Sequence, residues 1–198
     1  MFFSDKKVQL KIYYLFMLAD GKCSSNEEEM FCSICKSMDI GDDHKMEIIN
    51  FCENAVHISS NDNSAQVIRE IAKLLAEDNR DFFGFTSIYS IDPINKDKCR
   101  QVETIWNLLN LAYADTGYSE AEKKVVSFLA EYWEIDPLTL SDLNDTADTI
   151  LALTRQKDWL KTTSKPYDVI TANLKEIDEA IARMAKNVKL LIAESNIA

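Results

Sequence analysis

The chain has 198 residues, long enough to close a hydrophobic core without disulfides or metals, and its four Gly and three Pro are few for an all-β or loop-rich protein. A formal net charge of −11 argues against the basic surface that nonspecific nucleic-acid binding requires. Met1-Phe2-Phe3-Ser4-Asp5-Lys6-Lys7 lacks a basic region followed by an apolar one, and no run reaches the ~18 apolar residues of a membrane span, so the expectation is a cytoplasmic protein without a transmembrane segment. Five cysteines, an odd number with no dense framework, read as reduced thiols packed as small core residues.

Stretches rich in Leu, Ile, Ala, Glu and Lys predict an all-α fold. The first helix is expected over about residues 5–20, where Leu10, Ile12, Tyr13, Tyr14, Leu15, Phe16, Met17 and Leu18 leave almost no polar face, which makes it central and buried. A second helix opens at Ser24 with Met30, Phe31, Ile34, Cys35 and Met38 inward. Gly41 is expected to end it, and a third helix runs through Met46, Ile48, Ile49 and Cys52 to about His57. A fourth spans about Ser64 to Asp78. The aromatic stretch from Phe82 to Asn95 breaks the periodicity and reads as a connector.

The pattern then returns. A helix near 97–115 carries Val102, Ile105, Trp106, Leu108, Leu109, Leu111 and Ala112, and the next, from Ser119, carries Val125, Val126, Leu129, Ala130 and Trp133. Asp136-Pro137 opens a helix to about Thr162, and Pro166 starts a last one to about Ser195. Along that last helix Ile170, Leu174, Ile177, Ile181, Met184, Val188 and Leu191 alternate spacings of four and three, a seam for packing on its own domain or for a partner or homodimer contact.

Two strings map onto each other in one register: Ala19-Asp20-Gly21-Lys22-Cys23-Ser24-Ser25-Asn26-Glu27 and Ala114-Asp115-Thr116-Gly117-Tyr118-Ser119-Glu120-Ala121-Glu122. The same register carries Ile40 onto Ile135, so the chain is a duplicated helical unit, with repeat one over about 5–80, a connector over about 82–95 and repeat two over about 96–196. An apolar helix ending in Ala-Asp, a Gly-containing turn and Ser-x-x-Glu opening the next helix, all present twice, resemble the tellurite-resistance TerB-like family. The resemblance implies a single domain of about seven or eight helices. It also implies association with bacterial stress, membrane-linked or phage-defence systems, and a divalent-cation site built from the acidic turn residues. Gly21 directly follows Asp20, whereas Gly117 lies two after Asp115, so the two turns are expected to differ in backbone geometry.

Residue chemistry alone leaves alternatives at these turns. Ser24 with Glu27 and Ser119 with Glu122 form capping boxes, each sufficient reason for its two residues at roughly 1 kcal/mol per cap. Asp20 and Asp115 sit where an anion meets the negative end of a helix macrodipole, and three things could compensate: turn amides, Lys22 in the first copy only, or a shared cation. As a metal site the set would be Asp20, Glu27, Asp115 and Glu122, hard oxygen ligands suited to Ca²⁺, Mg²⁺ or Mn²⁺. It is not an EF-hand, because Lys22 and Phe31 stand where that loop needs ligands.

Cys32, Cys35, Cys52 and His57 imitate zinc spacing, but Cys52 and His57 project ~140° apart on a continuous helix. His44 and His57 are the only histidines, and no G-x-S-x-G or P-loop is present. The expectation is a non-enzymatic TerB-like helical module acting through protein contacts. The alternative is a metal-dependent hydrolase using clustered carboxylates.

Overall fold

The computed structural model describes residues 3–58, 62–84, 97–114 and 117–195, and every regular element among them is an α-helix. In chain order these are α1 (Phe3–Met17), α2 (Ser25–Ser37), α3 (Asp42–Ala55), α4 (Ser64–Gly84), α5 (Lys98–Ala114), α6 (Glu120–Tyr132), α7 (Pro137–Lys161) and α8 (Tyr167–Glu194). Among the described residues no helix is long and apolar enough to cross a membrane. The chain forms two compact units, Met1–Ile135 and Asp136–Ala198.

In the first unit α1 is the central element, packed against α2, α3, α4, α5 and α6. Its apolar run from Ile12 to Ala19 is buried without interruption, as a helix surrounded on all sides requires. The helix closes at Met17, three residues short of the expected end. Leu18, Ala19 and Gly21 continue in tight turns whose amides bond to Leu15, Phe16 and Leu18 carbonyls. Asn63, from the segment before α4, secures that end: its backbone amide donates to Ala19 O at 2.7 Å and its Nδ2 to Leu18 O at 3.3 Å. Carbonyls left buried without partners would destabilise the turn, so the distant Asn63 stabilises the chain where it leaves α1.

A polar network crosses the α1–α5 interface. Gln9 Nε2 donates to Tyr13 Oη at 2.8 Å and to Thr104 Oγ1 at 2.9 Å, and Asn107 Nδ2 donates to Tyr13 Oη at 2.9 Å. Burial pushes the Tyr13 phenol up to about 12 against these hydrogen bonds.

The duplication extends into the hydrogen bonds at the ends of α2 and α6. Asp39 and Glu134 both take left-handed φ values, 58° and 51°. In each copy the residue that follows closes the helix: Ile40 N donates to Cys35 O at 3.0 Å and Ile135 N to Ala130 O at 2.8 Å. Lys6 Nζ donates to Met38 O at 2.9 Å, and Lys98 Nζ donates to Trp133 O, so each C-terminus also meets a lysine from the preceding central helix. Gly41 therefore does not end α2; Asp39 does, and Gly41 is the N-cap of α3.

Two further expectations need correction. α4 continues to Gly84, so the first residues assigned to the connector are helical, while 85–96 lie outside the described residues. Trp106 is only half-buried, whereas Trp133 is 3% exposed.

The second unit is the α7–α8 pair. Asp136 caps α7 by accepting from Thr139 N at 3.1 Å, with Pro137 at the first helical position. Leu143, Ala147 and Leu160 of α7 and Ile177 and Val188 of α8 are its buried apolar residues, and Lys157 Nζ reaches Asp178 Oδ1 at 2.5 Å.

Candidate functional site

Both capping boxes are complete. Ser24 N donates to Glu27 Oε2 at 2.8 Å while Glu27 N donates to Ser24 Oγ at 3.2 Å. In the second copy Ser119 N donates to Glu122 Oε2 at 2.7 Å while Glu122 N donates to Ser119 Oγ at 3.2 Å. A box normally sits at the surface. Here Glu27 and Glu122 are 5% and 4% exposed.

The reason lies in helix periodicity. Glu27, Phe31 and Cys35 follow at spacings of four and form the buried stripe of α2; Glu122, Val126 and Ala130 repeat it in α6. Each glutamate is thus the first member of a core-facing row, and its carboxylate enters the interior with one oxygen held by the cap amide. That stripe was present in the sequence, where the capping role masked it.

Burial is the main force on Glu27. It raises the carboxyl to about 7 against the lowering effect of the Ser24 hydrogen bonds, and the charges of Glu122 and Asp20 push in the same direction as burial. The Glu122 charge is therefore a lesser force on Glu27 than burial. Neighbouring groups register the same negative field. Burial, then Glu27 and Glu28, push the Cys23 thiol up to about 12, and burial, then Glu122, raise the Tyr118 phenol.

Asp20 is placed differently. Its Oδ1 accepts from Lys22 N at 2.9 Å, an Asx turn, so a turn amide compensates its charge in this copy. Gly21 supplies the left-handed backbone for that turn at φ 76°, and its counterpart in the second copy, Thr116, lies outside the described residues. Asp115 lies outside the described residues. Among the described residues no group of three or more His, Cys, Asp or Glu side chains converges as a ready-made metal shell. The charges of Glu122 and Asp20 both act on Glu27, as lesser causes than its burial.

No family model, curated protein or solved structure matches this chain.

Sequence inspection did not single out Asp62. Its Oδ2 takes Lys124 Nζ of α6 at 2.6 Å, while its Oδ1 takes Ser64 Oγ at 2.5 Å and Ser64 N at 3.1 Å. Those hydrogen bonds hold the Asp62 carboxyl down at about 2. With Asn63 on the α1 end and Asp62 on α6, the segment before α4 joins the first turn to the second repeat. A sequence of polar residues between two helices carries no signal for either partner.

A buried carboxylate raised to about 7 has two chemical outlets. One is a proton held near neutral pH; the other is a cation, for which carboxylate and backbone carbonyl oxygens are suitable hard ligands.

Proposed function

We propose that the chain is a non-enzymatic, TerB-like helical module that acts through protein contacts, in the bacterial stress-response or defence setting that the resemblance implies. In this reading one divalent cation is taken by Glu27 and Glu122, with Asp20 as a further carboxylate and turn carbonyls or water completing an oxygen shell. The supporting observation is the burial of two equivalent capping-box carboxylates, 5% and 4% exposed, with Glu122 raising Glu27 by its charge. Capping alone does not need burial. A cation would replace mutual repulsion by attraction, tying the N-terminus of α2 to that of α6 and stiffening the surface those helices offer a partner.

The test is thermal. After chelator treatment, millimolar Ca²⁺, Mg²⁺ or Mn²⁺ should raise the melting temperature, since a ligand at 100 times its Kd adds ~2.7 kcal/mol of stability. Replacing Glu27→Gln and Glu122→Gln together should abolish the rise. A wild-type melt unmoved by all three ions would reduce the turns to capping devices.

A further inference from the structure

We propose that α8 is a docking face for a second copy of this chain, the two α8 helices pairing antiparallel about a two-fold axis at Ala180. This names a partner for the protein-contact part of the proposed function and is independent of the cation.

Two rows of residues run along α8. One contains Ile177 and Val188, which are buried. The other begins with Val169, Asn173, Glu176 and Ala180 and continues through Arg183, Asn187 and Leu190, at alternating spacings of four and three. At ~100° per residue this second row falls within a ~100° sector of the helix, the geometry of a seam. It is not covered. Val169 is 42% and Leu190 52% exposed, Glu176, Arg183 and Asn187 are exposed, and Asn173 and Ala180 are half-buried.

The order of the row indicates what fits it. Reversed about Ala180, the row reads onto itself: Val169 falls opposite Leu190 and Leu191, Asn173 opposite Asn187, and Glu176 opposite Arg183. Such self-complementarity is what an isologous two-fold contact requires, with each pairing made twice. Parallel pairing would instead set Glu176 against Glu176 and Arg183 against Arg183. Neither of these side chains has an ion-pair partner among the described residues.

The wider charge pattern favours the same arrangement. Asp168, Glu176, Asp178 and Glu179 outnumber Lys175 in the first half of α8, and Arg183, Lys186 and Lys189 outnumber Glu194 in the second, so antiparallel copies set a net negative half against a net positive one. Ala180 at the axis lets the backbones approach, and the paired asparagines set the register, as buried polar residues do in helical seams. From Val169 to Leu191 the contact runs ~33 Å at 1.5 Å per residue.

Sedimentation equilibrium on the full chain provides the test, with circular dichroism to confirm folding. The wild type should sediment at twice the 22.6 kDa chain mass. Glu176→Arg alone and Arg183→Glu alone each place like charges opposite one another twice, and each should weaken the dimer at least tenfold. An equimolar mixture of those two variants restores both attractive pairs, as does the double variant within one chain, and both should return to the dimeric mass. A wild type that stays at the single-chain mass at 100 µM would overturn the proposal. So would single variants that dimerise like the wild type, or a mixture that remains monomeric.

Discussion

Glu27→Gln isolates the electrostatic cost of the buried pair. Glutamine keeps the length of the side chain and an acceptor oxygen for the Ser24 amide, so the capping box survives while the charge is removed. The Glu27 carboxyl rises from an ordinary 4.5 to about 7 on folding. At ~1.4 kcal/mol per unit, holding it ionised costs the folded state about 3 kcal/mol. The folded protein therefore binds the Glu27 proton more tightly than the unfolded chain does. The stability this contributes is fully present below pH 4.5 and is lost as pH rises through about 7.

The glutamine variant has no such loss. In chelator it should melt close to wild type at pH 5 and above it at pH 8, by up to about 3 kcal/mol, or roughly 6–12 °C for a unit of this size. Calorimetric melts of both proteins at pH 5, 6, 7 and 8 give the comparison. A difference that does not grow with pH, or a variant less stable than wild type at pH 8, would refute the argument that burial and Glu122 strain this carboxylate. Millimolar divalent cation at pH 8 should reverse the order, because only the wild type keeps both carboxylates.

Trp133→Ala should cost about 3–5 kcal/mol in urea unfolding, and Trp106→Ala clearly less, since the first ring is 3% exposed and the second half-buried; equal losses would contradict that placement. Glu134→Gly and Asp39→Gly should each raise stability by about 0.5–1 kcal/mol in the same assay, because glycine adopts the observed left-handed φ without the side-chain clash. A loss at both positions would show that their side chains matter more than the backbone. Tyr13→Phe removes the oxygen that accepts from Gln9 and Asn107 and should cost about 1–3 kcal/mol, whereas a neutral result would show that those amides find other partners.

Periodicity made much of the fold legible. The central α1, the openings of α2 and α6 at Ser24 and Ser119, the Asp136-Pro137 start of α7 and the Pro166 start of α8 all follow local rules of pattern and capping. Ends set by distant partners were not legible. Just past the end of α1 the Leu18 and Ala19 carbonyls are held by Asn63, far along the chain, and α2 stops at an aspartate in a conformation usually given to glycine, leaving Gly41 to begin α3. Trp106 looked like a core residue because apolar neighbours flank it on both sides in sequence. On the helix it lies at the edge of the buried face, in the same register as the half-buried Lys11 of the first copy.

At the site, the duplicated string identified the capping boxes and the spacing of four already aligned Glu27 with Phe31 and Glu122 with Val126. What the string could not contain is that the Glu122 charge reaches Glu27, a lesser effect than burial that depends on how α1, α2, α5 and α6 pack together. Asp20 shows the opposite lesson: its Oδ1 accepts from Lys22 N in a local Asx turn made by residues of the string itself.

Isothermal titration calorimetry of the chelator-treated chain with Ca²⁺, Mg²⁺ and Mn²⁺ tests the cation site most directly. The account predicts saturable binding of one ion per chain for at least one of the three, accompanied by proton release near pH 7 as Glu27 gives up its proton, and lost in the chain carrying both Glu27→Gln and Glu122→Gln. No binding at millimolar ion, or binding that survives the loss of both carboxylates, would contradict it.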